Sequence, residues 1–306
     1  MKNLYAALIL LFLCALGSDS RAQGYIRGGG GFGVGTNKDA FIVPAITRND
    51  NGMVVSAQTV FGSFGQGGRF SLAGGYMITP YLGVELQLYY FLGTKQAYGS
   101  DMMPNGNSYA RTGYSYQLRA LPSLVLKAPT EKVQPYARFG VLVPLLGQTI
   151  LEDRRHISAV NQTIETQLNI NGKFSIGFES TVGVQYNITK NIGIYAELTY
   201  TGLRIRSNNA QYTKDITTNI NDGTVTDNLP NRQTITRYIE FQDEITLESN
   251  HNTALLVTGQ IPNDVGLFLD GQIDFNQPLN VLTQTSNFNA LSLNVGIQYT
   301  FNKKAK

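Results

Sequence analysis

Eight stretches of this sequence alternate apolar and polar residues with a period of two, and no apolar face among them carries a charge apart from Arg204 and Arg206 at the end of the seventh. They cover residues 24–36, 67–78, 82–92, 113–127, 135–147, 173–188, 192–206 and 287–301. A period of two places successive side chains on opposite faces of a strand, so each stretch reads as a strand with one apolar side. In the third that side is Leu82, Val84, Leu86, Leu88, Tyr90 and Leu92. The opposite sides are mostly small or neutral, as in Gly29, Gly31, Ser71, Ala73, Gln87 and Gly183. A water-facing exterior would be rich in Lys and Glu, whereas the interior of a narrow closed sheet needs small side chains. The apolar side therefore faces lipid.

The connections alternate in length. Residues 79–81, 128–134 and 189–191 are short turns, while 37–66, 93–112, 148–172 and 207–286 are long. Short turns at one end and long loops at the other predict an all-β fold, an eight-stranded antiparallel up-and-down transmembrane β-barrel with long extracellular loops. Each stretch also reaches the roughly 9–11 residues that a tilted strand needs to cross a bilayer. Tyr76, Tyr81, Tyr90, Tyr114, Tyr116, Tyr186, Tyr200 and Tyr299 lie toward the ends of their stretches, where interfacial girdles belong.

The N-terminus agrees with this setting. Lys2, the apolar run Leu4 to Leu16 and the small residues around Ser20-Arg21-Ala22 form the layout of a secretory signal peptide, residues 1–22. The domain then spans 23–306, with 207–286 as a long extracellular loop insertion. Cys14, the sole cysteine, leaves with the signal, so no disulfide or thiolate chemistry is expected. Only 15% of residues are charged and aromatics reach 10%, which argues against a disordered chain. The net charge of +3 without a basic run argues against nucleic acid as a partner.

Three stretches resemble the small OmpA- and OmpX-like outer-membrane β-barrel domains, including porin-family and PorT-like members. Gly74-Gly75-Tyr76 with Thr79-Pro80-Tyr81-Leu82-Gly83-Val84-Glu85-Leu86 looks like that family's strand-turn-strand. Leu121 to Lys127 with Pro135-Tyr136-Ala137-Arg138-Phe139-Gly140 resembles its central hairpin, and Leu293 to Phe301 its closing strand. The resemblance implies outer-membrane lipids as surroundings and a terminal aromatic signal, Tyr299 and Phe301, read by the barrel-assembly machinery during insertion. It implies location in the cell outer membrane after export.

The lumen side carries the most chemical residues. Arg27, Glu85, Arg138 and Glu197 lie low in their strands, and Arg69, Arg119 and Glu179 lie higher. Isolated charges in a dry interior are prohibitively costly, so these are expected to pair into a lumen charge network. Other motifs reduce to simpler chemistry. Gly28-Gly29-Gly30-Gly31-Phe32-Gly33 has dinucleotide-motif spacing but lacks the strand before it and the helix after it. Asn49-Asp50-Asn51-Gly52 and Asn221-Asp222-Gly223 are turn sequences. His156 and His251 fall in expected loops, without metal-ligand spacing, and Glu152-Asp153-Arg154-Arg155 reads as a solvated loop tip. Pro122 interrupts the fourth stretch, and a β-bulge there is expected. Runs 234–245 and 266–275 are expected to form an extracellular hairpin or strap.

No cofactor, metal or catalytic residue is expected. The leading functional expectation is a non-enzymatic scaffold whose loops meet an extracellular or cell-envelope protein partner. A narrow porin-like channel is the alternative, and an outer-membrane enzyme a third.

Overall fold

The computed structural model describes residues 23–37, 39–40, 45–245, 252 and 274–301. The expected signal peptide, His251 and residues 266–273 of the second strap run lie outside them. In chain order the strands are β1 (Gln23–Gly35), β2 (Asp39–Ala40), β3 (Ala45–Arg48), β4 (Val54–Gln58), β5 (Phe61–Gly62), β6 (Gly67–Met77), β7 (Leu82–Gly93), β8 (Gln96–Met102), β9 (Ser108–Lys127) and β10 (Val133–Ile157). They continue as β11 (Gln162–Gly172), β12 (Gly177–Asn187), β13 (Ile192–Gly202), β14 (Arg204–Asn219), β15 (Val225–Asp227), β16 (Tyr238–Gln242), β17 (Leu279–Leu282), β18 (Thr285–Asn287) and β19 (Ala290–Thr300).

Eight of these strands pair in a closed ring, β1, β6, β7, β9, β10, β12, β13, β19 and back to β1, each pair antiparallel. The expectation of an eight-stranded up-and-down β-barrel is nevertheless corrected. The ring is one part of a 17-stranded sheet, and that sheet includes the parallel pairs β3–β8 and β16–β17. The fold is a large mixed sheet. Apolar alternation marks only strands with one apolar face. Strands such as β11, Gln162-Thr163-Ile164-Glu165-Thr166-Gln167-Leu168, interrupt their apolar face with polar residues and carry only a weak mark; their ladders define them.

The outer face of the ring is apolar, with Leu72, Leu88, Leu124, Val182 and Leu293 exposed, while Glu85, Gln87, Tyr89 and Phe91 of β7 turn inward and are buried. Beyond the ring, β9 and β10 run on to 20 and 25 residues, about 65 and 80 Å if fully extended. Their far halves pair with each other, β8 adds to β9, β11 adds to β10, and β14 adds to β11. A tall wall therefore rises on one side of the ring, in segments expected to be loops. Glu152-Asp153-Arg154-Arg155 belongs to β10 rather than to a loop tip. Within the expected strap, Thr234–Arg237 forms a single helical turn, α1, that leads into β16.

The bulge is on a neighbouring strand. Pro122 pairs with Leu86 in an unbroken ladder, whereas the β9–β10 register shifts between Pro144 and Leu146. Gly147 follows with φ +151°, where a side chain would press on the Tyr116 carbonyl, so the bulge needs glycine. One extra residue changes the inward parity of β10. Arg138 and Leu142 are buried before it, Thr149 and Asp153 after it.

Two apolar clusters fill the interior. Phe64, Tyr89, Phe91, Leu121, Leu142, Leu203 and Phe288 close the wall-side mouth of the ring. Leu168, Ala210, Ile239, Phe241 and Val281 pack β11, β14, β16 and β17 against one another in the wall.

Candidate functional site

The interior of the ring holds two layers of charge. Arg27 on β1, Glu85 on β7, Arg138 on β10 and Glu197 on β13 come from every second strand, so cations and carboxylates alternate around the lumen. Arg27 meets Glu85 at 2.9 Å and Glu197 at 3.2 Å; Arg138 meets Glu197 at 3.1 Å and also Glu85. Each carboxylate thus bridges both guanidiniums, and all four side chains are buried. Tyr25 donates to Glu85 at 2.8 Å and Tyr136 to Glu197 at 2.7 Å, using the remaining lone pairs. A closed cycle of this kind offsets the desolvation that an isolated buried pair would leave uncompensated.

The second layer comes from the intervening strands. Arg69 of β6 forms a two-pronged pair with Glu179 of β12 at 3.1 and 3.2 Å. Glu179 also accepts from Tyr89 at 2.5 Å and Thr201 at 2.9 Å. Arg119 of β9 reaches no carboxylate among the described residues. It donates to Gln117 at 2.7 Å and Tyr89 at 3.3 Å, and its Cζ lies 4.4 Å from the Phe91 ring centre. Aromatic faces stabilise this cation where a carboxylate would otherwise be required.

Four inward tyrosines, Tyr25, Tyr89, Tyr136 and Tyr195, lie outside the eight that the sequence reading assigns to girdles, and their role was not foreseen. Tyr81, Tyr90, Tyr186 and Tyr299 are exposed on the outer face. The inward rings have room because Tyr25 lies opposite Gly75, Tyr136 opposite Gly183 and Tyr195 opposite Gly296. A side chain at Gly75 or Gly296 would collide with the ring facing it. Tyr299 and Phe301, which the resemblance implies as an insertion signal, stack edge to face at 5.2 Å, both exposed.

These features describe an apolar-walled, charge-filled ring of antiparallel strands. The sequence profile described as "Outer membrane protein beta-barrel domain" matches residues 5–229. The chain belongs to this family. No curated protein sequence matches it. Among solved structures it is similar to Ail, the attachment invasion locus protein of Yersinia pestis, in complex with the heparin analogue sucrose octasulfate, at 9% identity over 92% of this chain and 97% of that one, with a TM-score of 0.31. It is also similar to the outer membrane protease OmpT from Escherichia coli, at 11% identity over 91% and 97%, TM-score 0.34. A third is Acinetobacter baumannii CarO2, at 15% identity over 90% and 99%, TM-score 0.29. Scores this low do not carry what those proteins do over to this chain.

For a member of the outer membrane protein beta-barrel domain family, the wall is the more distinctive part. Asp153, buried in β10, binds Arg111 of β9 at 2.5 and 2.6 Å and accepts from Tyr109 at 3.0 Å. Sequence reasoning missed this pair, although the two residues lie directly opposite in register. Arg232 adds an ion pair to Asp215 at 2.6 Å and lies 4.1 Å over the Tyr212 ring. His156 lines a small cleft of about 200 Å³ with Asp101 and Ser108. Both carboxylate oxygens of Asp101 are held by Arg48 at 2.9 and 2.8 Å. Among the described residues no cluster of His, Cys, Asp and Glu could hold a metal ion.

Just beyond β16, Asp243 accepts from Thr283 at 2.7 Å and Lys173 at 3.0 Å and meets Arg206 at 2.6 Å. Those hydrogen bonds, then the two positive charges, hold its carboxyl below the usual aspartate range. Glu165 on β11 is lowered likewise, chiefly by the hydrogen bond from Lys214. A depressed carboxylate stabilises the fold above its unfolded value, about pH 4, and the contribution disappears as pH falls through the folded value. Amide exchange in β16, corrected for intrinsic rates, should therefore accelerate on acidification below about pH 4. Asp243→Asn should remove most of that acceleration; an unchanged pH response in the variant would refute the assignment.

Proposed function

We infer that this protein resides in the outer membrane and is a non-enzymatic, non-conducting binding protein whose wall is presented outside. The observation that supports this most is the length of β9 and β10, about twice what a tilted strand needs to cross a bilayer. Their far halves are stiffened by the buried Arg111–Asp153 pair and the apolar cluster around Leu168 and Ile239. Ordering a wall of this kind in advance lowers the entropy cost of binding a macromolecular partner. The uncharged ring exterior suits lipid, and each ring strand pairs on both sides apart from residues 143–148 of β10, as a bilayer demands of backbone within it.

The channel alternative is disfavoured by the filling of the lumen. Two charged layers and the apolar cap at Phe64, Leu203 and Phe288 leave little room for a continuous water path. Planar-bilayer recordings of the purified protein should show no steady unitary current.

Site-specific photocrosslinking in intact cells tests the reading. A photoreactive residue at Arg154, whose side chain is 72% exposed on the wall, should capture a macromolecule. The same group at Leu72 on the ring exterior should capture lipid. Lipid capture at Arg154, protein capture at Leu72, or steady currents would each overturn the assignment.

A further inference from the structure

The wall of the ring has one breach. The β10–β12 ladder ends at Leu142 opposite Gly177, and the β10–β11 ladder begins only at Thr149 opposite Ile170. Residues 143–148 of β10 therefore have β9 on one side and no strand on the other. The bulge at Pro144–Leu146 and the irregular segment 173–176 form the two jambs of this opening. Behind it lies a cavity of about 620 Å³.

The lining of that cavity is amphipathic. Leu146 and Phe174, 70% and 62% exposed, line its mouth. The amides of Gln148 and Asn171, joined at 2.9 Å and each keeping a second N–H, and the hydroxyls of Ser207 and Ser286 also line it. Lys173 and Arg206 supply positive charge, and no Asp or Glu contributes to the lining. Asp243, outside the cavity, is the one carboxylate paired with both cations, so a single net positive charge remains at the rim. The opening lies at the wall-side end of the ring strands. On the outer-membrane reading above, on which this step rests, that is the level of lipid headgroups.

We propose that this lateral opening binds the anionic phosphate headgroup of an outer-leaflet lipid. Lys173 and Arg206 contact the phosphate, the Gln148 and Asn171 amides donate to its oxygens, and an acyl chain descends past Leu146 and Phe174 along the apolar exterior. An uncharged wall at this point would leave the free backbone of 143–148 facing hydrocarbon, which is costly; a polar headgroup supplies partners for it. Charge-assisted contacts from ammonium and guanidinium groups to phosphate are the strong term in the recognition.

The test uses the mature chain folded in detergent micelles, with insertion into lipid vesicles checked in parallel. Native mass spectrometry counts retained single-chain phosphatidate, its uncharged monoacylglycerol counterpart and inorganic phosphate. Wild type should retain phosphatidate about tenfold better than monoacylglycerol, and the Lys173→Gln/Arg206→Gln double variant should lose that preference. Leu146→Asp, placing a like charge at the mouth, should weaken phosphatidate retention while leaving folding intact. Equal retention of monoacylglycerol, an unchanged double variant, or displacement of phosphatidate by an equal concentration of inorganic phosphate would overturn the headgroup site. Those outcomes in a chain that inserts leave the location standing; a chain that folds but does not enter vesicles overturns the location and this site with it.

Discussion

Replacing Glu179 by alanine is expected to cost the folded protein about 3–5 kcal/mol, the usual result of stripping the counter-charge from a buried cation. The effect should exceed that of Glu85→Ala, for a reason visible in the charge count. The lower layer has two cations and two carboxylates, so loss of Glu85 leaves Glu197 still accepting from both Arg27 and Arg138. The upper layer has Arg69 and Arg119 but only Glu179, which is 1% exposed. Without it Arg69 loses both prongs of its pair, and Tyr89, which links Glu179 to Arg119, loses its acceptor. Glu179→Gln separates charge from packing: it should recover part of the loss through shape alone. Denaturant midpoints of vesicle-inserted protein give the comparison, and equal shifts for Glu179→Ala and Glu85→Ala would contradict the two-layer description.

The ring was legible in the sequence because its outer face obeys a simple demand. A strand whose exterior must be free of charge shows its register in every second residue, and that is why residues such as Arg27, Glu85 and Glu179 on the other parity could be named from the sequence. The wall obeys no such demand. In β11 one face carries Thr163, Glu165, Gln167 and Asn169, and the other mixes Gln162 and Thr166 with Ile164, Leu168 and Ile170, so the apolar alternation is too short and broken to stand out. Ladder hydrogen bonds specify such strands, and ladders connect residues far apart in sequence.

Parity was lost at one place. The stretch Val143-Pro144-Leu145-Leu146-Gly147 reads as continued apolar alternation with a proline in it, but the register shift there inverts β10. Beyond it Asp153 turns inward toward Arg111, and a run that reads as solvated becomes a buried pair. The glycine two residues after the central Leu145 was the available signal. The inward tyrosines had one as well: Gly75, Gly183 and Gly296 all fall on the lumen parity, and a gap of that size in a crowded interior has to be filled from the facing strand. Arg119 could be placed in the lumen from its parity, but not its solution, since Phe91 and Phe288 approach it from β7 and from a segment 169 positions away.

Phe288→Ala is the other substitution expected to have a large effect, about 3–5 kcal/mol for a buried aromatic truncated in a packed cluster. Phe288 is 1% exposed and its ring centre lies 5.8 Å from that of Phe64 and 5.6 Å from Cζ of Arg119. The same ring therefore fills the mouth and shields a cation, and its loss opens a void against Leu121, Leu142 and Leu203 while letting water reach Arg119. Water at Arg119 would solvate the charge and soften the penalty, so the measured cost should fall toward the lower end of the range. Heat-modifiable mobility on gels and denaturant midpoints report the loss, with Leu72→Ala on the exposed outer face as a control that should shift little in detergent. Conductance separates the two seals. Beneath the void the Arg69–Glu179 and Arg27–Glu85–Arg138–Glu197 layers remain, so Phe288→Ala should still pass no steady current. A conducting variant would mean that the apolar cap, and not the ion-pair layers, closes the lumen.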